Sequence, residues 1–473
     1  AFVAGKTRES TLALLQSLVD KSLLNADVET AEPRYALLET ARAYAQQKLL
    51  AEHEGDLERR RHAEYFAALA EDFNGAYSRS ISAAKPPPGA RMDAETLMSS
   101  INRELDNVRV AMDWTIAGGR QVKLGARIVG AMWRFFVARS LYAEGERWAV
   151  AALDALVPGE TPAIESQLQL LHAMTAAFPY FMPVYRRVNH GRAVDAARRA
   201  LVLSSRAGDE QLATVAGGIL VMNLCVEEHV GEAAAVAKQT VASAEHSGDP
   251  LHVGIALYFQ AFTVALRDPS AGVTMLQRAY DAYDRAGFTY GRAYTQLALA
   301  ESAYERGDPA SALQSTREAQ EYYQGIGDWS TLALARAQAA KYLCASGEMR
   351  TARAAAGDAL RIAEETGDAA VIALALRTIA GIAVATGRAD GAAGLLTAAD
   401  VLLARTGRQR VLFALREYQR IDAAVDAGLD PAARDRAARE ASQWTLPRAI
   451  AEASAVVDAP DAATLLSPWF GER

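Results

Sequence analysis

Three stretches, RGDPASALQSTREAQEYYQGIGD (306–328), ASGEMRTARAAAGDALRIAEETGD (345–368) and ATGRADGAAGLLTAADVLLARTG (385–407), are variations on one pattern. Each opens on a glycine, runs through an alanine-rich amphipathic segment and stops at another glycine. Marking the closing glycine along the chain gives Gly208, Gly248, Gly287, Gly327, Gly367 and Gly407, in steps of 40, 39, 40, 40 and 40 residues. Gly231, Gly307, Gly347 and Gly387 fall near the midpoints, with Asp268-Pro269 in the missing place. Glycine supplies the left-handed conformation that ends a helix. The unit is therefore helix, turn, helix, turn, with arms of about 15 to 18 residues, and a fixed period of this size means stacked helical hairpins.

The packing face is visible in the same units. Ala312, Ala352 and Ala392 stand five residues after the mid-repeat glycine, and Ala319, Ala359 and Ala399 stand twelve after it. Seven residues are two helical turns, so these alanines share a face where small side chains let helices approach closely. The repeats resemble tetratricopeptide repeats in a longer, forty-residue form. The expected fold is all-α: a tetratricopeptide-like right-handed superhelix, preceded by a partial winged-helix domain with a short β-hairpin.

The spacing slips once. Gly159 and Gly208 lie 49 residues apart, which leaves about nine extra residues around FPYFMPVYRR (178–187). Insertions in a solenoid fall on one face, often the binding face. Tyr180, Phe181, Tyr185, Arg186 and Arg187 are accordingly candidate binding residues. With them go Tyr258, Tyr290 and Tyr294 from a tyrosine-rich pair of repeats. Rings at such spacing serve as core, or they line a concave site for an amphipathic ligand or peptide.

The first seventy residues follow another grammar. Residues 11–21 form a helical run, SLLNADV (22–28) and RYALLE (34–39) are strand-like, and ETARAYAQQKLLAEH (39–53) is a second helix. Helix, hairpin, helix is the tail of a winged helix. Residues 74–95, with three consecutive prolines, read as an exposed linker. The expected division is 1–72 for the partial winged helix and the following helix, 73–96 for the linker, 97–157 for the start of the array, 158–425 for the repeats, and 426–473 for a helical cap.

Chemistry has no constellation to work with. Gly5-Lys6-Thr7 has the last residues of a phosphate-binding loop but not the first glycine or the strand that precedes one. Arg59-Arg60-Arg61-His62 is flanked by Glu58 and Glu64 and reads as a solvated helix face. The histidines show no metal-binding spacing, and the two cysteines, Cys225 and Cys344, read as small buried hydrophobes. No catalytic residue, metal or cofactor is expected in this chain. A net charge of −7 gives no footprint for nucleic acid. No run is long and apolar enough for a membrane, and the cytoplasm is the expected compartment.

LVDKSLL (18–24), RYALLETARAYAQQKL (34–49), RRRHAEYFAALAE (59–71) and ELDNVRVAMDW (104–114) occur in an order and spacing that resemble the C-terminal half of bacterial STAND regulators. The closing REASQWTLPRAIAEASAV (439–456) also resembles the end of that family's repeat array. Those proteins are predicted ATPases and transcriptional regulators in which a nucleotide domain ends in a winged helix and a tetratricopeptide-like sensor follows. The resemblance implies that a small molecule, peptide or protein binds the array, and that occupancy is relayed to an upstream nucleotide domain and an output domain. ATP or ADP would belong to that upstream domain alone. It also implies that the winged helix is a hinge, with no direct DNA contact expected from this chain. The family's nucleotide-sensing Met-His-Asp triplet aligns with Leu37-Leu38-Glu39, where leucine cannot donate a hydrogen bond to phosphate. The rival reading is a plain repeat scaffold for a protein partner.

Overall fold

A computed structural model describes residues 2–27, 34–51, 55–82, 94–139, 141–177, 185–187, 191–406, 408–410 and 412–459. The winged-helix region comprises α1 (Arg8–Asp20), β1 (Leu24–Asp27), β2 (Arg34–Leu37) and α2 (Glu39–Ala51). The two strands pair antiparallel, with Leu24 opposite Leu37 and Asp27 opposite Arg34. Thr7 has a different task from the one its Gly-Lys-Thr setting hints at. Its side chain caps α1 by accepting from the Ser10 N–H at 3.2 Å, satisfying one of the free donors of the first turn.

A 28-residue helix, α3 (Gly55–Ser82), leads away from this region. It buries Ala63, Phe66, Ala67, Ala70 and Phe73, a stripe at three- and four-residue spacing. The linker expected from residue 74 onward is thus corrected: residues 74–82 are helix. Asn74, Tyr77 and Ser78 hold that last stretch through tertiary contacts described below, and these override its weak local preference. The proline run lies outside the described residues.

Next come α4 (Ala94–Arg103), α5 (Leu105–Met112) ending in a π-turn at Asp113–Ala117, α6 (Val122–Ala131), α7 (Trp133–Ala138) and α8 (Tyr142–Ala155). The hairpins follow. They are α9 (Pro162–Ala177) with α10 (Gly191–Ala207), α11 (Glu210–Val226) with α12 (Val230–Ser247), α13 (Pro250–Ala265) with α14 (Pro269–Ala286), α15 (Thr289–Glu305) with α16 (Pro309–Ile326), α17 (Trp329–Ala345) with α18 (Met349–Thr366), and α19 (Ala369–Ala385) with α20 (Ala389–Arg405). The chain closes with α21 (Leu412–Gly428), α22 (Pro431–Ala441) and α23 (Leu446–Val457). The architecture is the expected all-α, tetratricopeptide-like superhelix.

The repeat grammar has a physical cause at each end of a helix. Gly248, Gly287, Gly327 and Gly367 adopt φ of 69, 69, 70 and 67°, the left-handed stop that a side chain would strain. An aspartate follows Gly208, Gly248, Gly327 and Gly367 and starts the next helix, Asp209, Asp249, Asp328 and Asp368 each accepting a backbone N–H two or three residues on, whereas Phe288 follows Gly287 and makes no side-chain cap. Ala312, Ala319, Ala352, Ala359, Ala392 and Ala399 are all fully buried, as their spacing predicts. Gly231 departs from the midpoint series. It sits in the first turn of α12, and Glu228 takes the left-handed turn with φ 64°.

The hairpin of the winged-helix region is not the only strand pairing among the described residues. Tyr185–Arg187 forms β3, which pairs antiparallel with β4 (Arg408–Arg410), Arg187 opposite Arg408. Strand β3 sits in the connection inside the α9–α10 hairpin and β4 follows the α19–α20 hairpin, so the ladder replaces no repeat helix. It ties the connection after α9 to the connection after α20. A second closure has the same sense: Arg139 Nη1, just past α7, donates to the Ile326 carbonyl at the end of α16 at 3.0 Å. Among the described residues no helix is long and apolar enough to cross a membrane.

Candidate ligand site

The first helices of successive hairpins, α9, α11, α13 and α15, present Met174, Val215, Ile255, Tyr258 and Tyr294 to one cavity of about 110 Å³. Tyr77 of α3 and Trp133, Arg134 and Val137 of α7 close its other side. Glycines set how near its rings can lie. A β-carbon on Gly218 of α11 would stand 2.1 Å from Phe259 Cδ2, and one on Gly291 of α15 would stand 2.8 Å from the Tyr283 ring. Both rings line the cavity because these two backbones have no side chain.

The aromatic lining is continuous. Tyr258 meets Phe259 edge-on at 5.4 Å and Tyr294 at 5.8 Å, and Tyr294 stacks with Tyr290 at 5.9 Å. Such offset and edge-to-face pairs suit the ring quadrupoles. Burial pushes the Tyr258 and Tyr290 hydroxyls well above the ordinary phenol range, so both stay protonated. The Tyr290 hydroxyl makes a long 3.5 Å approach to Asp328 Oδ2. The Tyr258 hydroxyl is buried with no hydrogen-bond partner among the described residues.

Arg134 is the cation of this otherwise apolar lining. Its Nε donates to Asn74 Oδ1 at 3.2 Å and its Nη2 to Gln211 Oε1 at 2.8 Å, while its Cζ lies 4.2 Å from the Trp133 ring centroid. Gln211 Oε1 also accepts from Ser78 Oγ. Burial pulls the guanidinium down to about 10, against the opposing pull of Tyr77 and Asp209. Arg134 keeps its charge at neutral pH, but pays for it in desolvation.

The sequence candidates divide. Tyr258, Tyr290 and Tyr294 come together in this cavity. Tyr185, Arg186 and Arg187 form β3 on its ladder with β4, and Tyr180 and Phe181 lie outside the described residues. Leu37, Leu38 and Glu39 mark the junction of β2 and α2, with Leu38 exposed. In the arginine run, Arg60 pairs with Glu64 at 2.9 Å on the solvated side, while Arg61, paired with Glu58 at 3.7 Å, and His62, 4.6 Å from the Phe66 ring, are half-buried, so the run is a solvated face only in part. Sequence reasoning passed over Tyr77, Trp133, Arg134 and Gln211. The one signal was a lone arginine inside the apolar run MWRFFVA.

Residues 1–50 match the model of a winged helix-turn-helix domain family. Proteins named as HTH-type transcriptional regulators, from Mycobacterium bovis and Mycobacterium tuberculosis, are 32% identical over 145 residues, 31% of this chain. The chain spans 15% of the length of these relatives. Among solved structures, a Rap protein complexed with competence and sporulation factor superposes with a TM-score of 0.53 at 13% identity, over 84% of this chain and 99% of that one. This is a likeness of fold. A STAND protein with a tetratricopeptide repeat sensor from Pyrococcus horikoshii aligns over 97% of this chain and 62% of that one, with 15% identity and a TM-score of 0.41.

Proposed function

We propose that this chain is the ligand- or partner-sensing half of a STAND-type signal-transduction regulator, and that it relays occupancy of the array to an upstream nucleotide-binding domain. The observation that carries this reading is α3. One end of the helix meets the winged-helix region, where Phe2 and Tyr65 rings stand 6.4 Å apart. The other end supplies Tyr77 to the cavity, Asn74 to Arg134 and Ser78 to Gln211. At 1.5 Å per residue, the helix from Tyr65 to Tyr77 spans about 18 Å between the two. A ligand that changes the Arg134 contacts therefore acts on the element that holds the winged helix. In thermodynamic terms it biases a two-state hinge by its differential affinity for the two states.

The winged-helix region also offers an apolar surface. Leu12 and Leu14 of α1 are about half exposed, and no residue of α1 is buried. A plain scaffold for a protein partner remains the second reading, because tetratricopeptide-like superhelices present such surfaces in general.

The test uses the full-length coding product that contains this chain. In the relay reading, Asn74→Ala with Ser78→Ala alters the rate of ADP release from the upstream domain while leaving the melting temperature of the array within a few degrees. An unchanged rate, or a full-length product without a phosphate-binding loop before the winged helix, sinks the relay and leaves the scaffold.

A further inference from the structure

The cavity is short of acceptors and of negative charge. Among the described residues no carboxylate lies within ion-pair distance of Arg134, whereas the half-buried Arg109 has Glu144 at 2.7 Å. Both partners of Arg134, Asn74 and Gln211, are neutral amides, and no described residue accepts from its Nη1. Two further donors nearby are equally unserved: Trp133 Nε1 and the Tyr258 hydroxyl are buried without a hydrogen-bond partner. Both residues line the cavity, at 4% and 2% exposure. An indole N–H and a guanidinium can only donate. What completes such a site accepts hydrogen bonds and carries negative charge.

The rest of the lining sets the other half of the ligand. Val215, Ile255, Phe259 and Tyr294 offer aliphatic and ring surface. A volume of about 110 Å³ is on the scale of one ring or a short chain, since an apolar cavity of about 150 Å³ takes up benzene. A long peptide or a nucleotide could place only one ring or side chain in it.

We propose that the cavity binds a small aryl or alkyl carboxylate, its apolar body against Tyr258, Phe259 and Tyr294 and its carboxylate on the free edge of the Arg134 guanidinium. This deepens the sensor reading, on which it rests, by naming the class of ligand sensed. The anion supplies a countercharge in direct contact, which Asp209, acting on Arg134 without an ion pair, does not, and a charge-assisted bond is stronger than a neutral one. Because Asn74 and Gln211 hold the same guanidinium, the ligand reaches α3 and α11 through a single side chain.

Phenylacetate and phenylacetamide, nearly equal in shape and different in charge, separate the possibilities by calorimetry on the intact chain. Phenylacetate is expected to bind saturably, and phenylacetamide at least tenfold more weakly. Arg134→Gln is expected to weaken phenylacetate at least tenfold and to leave phenylacetamide unchanged. The comparison of acid with amide needs no variant, so it stands even where Arg134→Gln folds poorly. Amide binding equal to acid, or no saturation by the acid up to about 10 mM, overturns the assignment. Either result leaves the relay standing on its own test, the ADP release of the Asn74 and Ser78 variant.

Discussion

The ring of Phe259 lies over the backbone of Gly218, so close that a β-carbon there would meet Cδ2 at 2.1 Å. Helices α11 and α13 thus share a contact with no room for a side chain on one partner. Overpacking of this kind costs about 1–3 kcal/mol. Gly218→Val is therefore expected to lower the urea midpoint and to shift Phe259 within the cavity lining. Gly325→Ala is the control. Gly325 is exposed in α16 with nothing within 4 Å of an added β-carbon, and the change is expected to stabilise by about 0.4–1 kcal/mol. Equal destabilisation by the two would show that backbone freedom, not the ring contact, governs Gly218.

Tyr258 buries a hydroxyl that has no partner, and an unmet buried polar group costs about 1–3 kcal/mol. Removing the oxygen keeps the ring and its edge-on contacts with Phe259 and Tyr294. Tyr258→Phe is expected to raise stability by about 1 kcal/mol in urea denaturation without ligand. A loss of stability instead would mean that the oxygen is hydrogen-bonded in solution.

The hairpin array was legible because its signals are local and steric. A left-handed stop demands glycine, a free N-terminal donor attracts aspartate, and a close helix crossing admits alanine, so Gly327, Asp328 and Ala319 can each be read in place. The cavity was legible only in its tyrosines. Arg134 looks like any surface cation in a helix until Trp133, Asn74 and Gln211, far apart in the chain, close around it. The end of α3 misled for the same reason: Asn74 and Gly75 resemble a turn, and the contacts that keep them helical come from α7 and α11. The β3–β4 ladder has no local signature at all, since three-residue strands pair across most of the array.

Asp328 caps α17 from an almost dry position, 5% exposed, accepting from the Thr331 N–H at 3.1 Å and the Thr331 hydroxyl at 2.8 Å. Burial outweighs these bonds and raises its carboxyl above the usual aspartate range. The folded state then binds more protons than the unfolded one just above pH 4, so this group's contribution to stability falls as pH rises through that window. Asparagine also caps helices, and the Thr331 hydroxyl can accept from its amide. Asp328→Asn is expected to stabilise the chain at pH 7 and to lose that advantage towards pH 4, read from denaturation midpoints at both. A gain that grows on acidification contradicts the burial argument.

The pairing of Arg186 with Gln409 makes a covalent test of the closed array possible. Opposed residues in an antiparallel ladder have Cα atoms about 4.5–5.5 Å apart, inside the range that a disulfide spans. The native thiols will not interfere. Cys225 and Cys344 are both buried, and burial pushes the Cys225 thiol up to about 12, which leaves almost no thiolate at pH 8. Arg186→Cys with Gln409→Cys is expected to cross-link under mild oxidation and to give one bridged peptide in a non-reducing digest. Failure to form, with both engineered thiols reactive, would mean that the connections after α9 and α20 do not meet in solution.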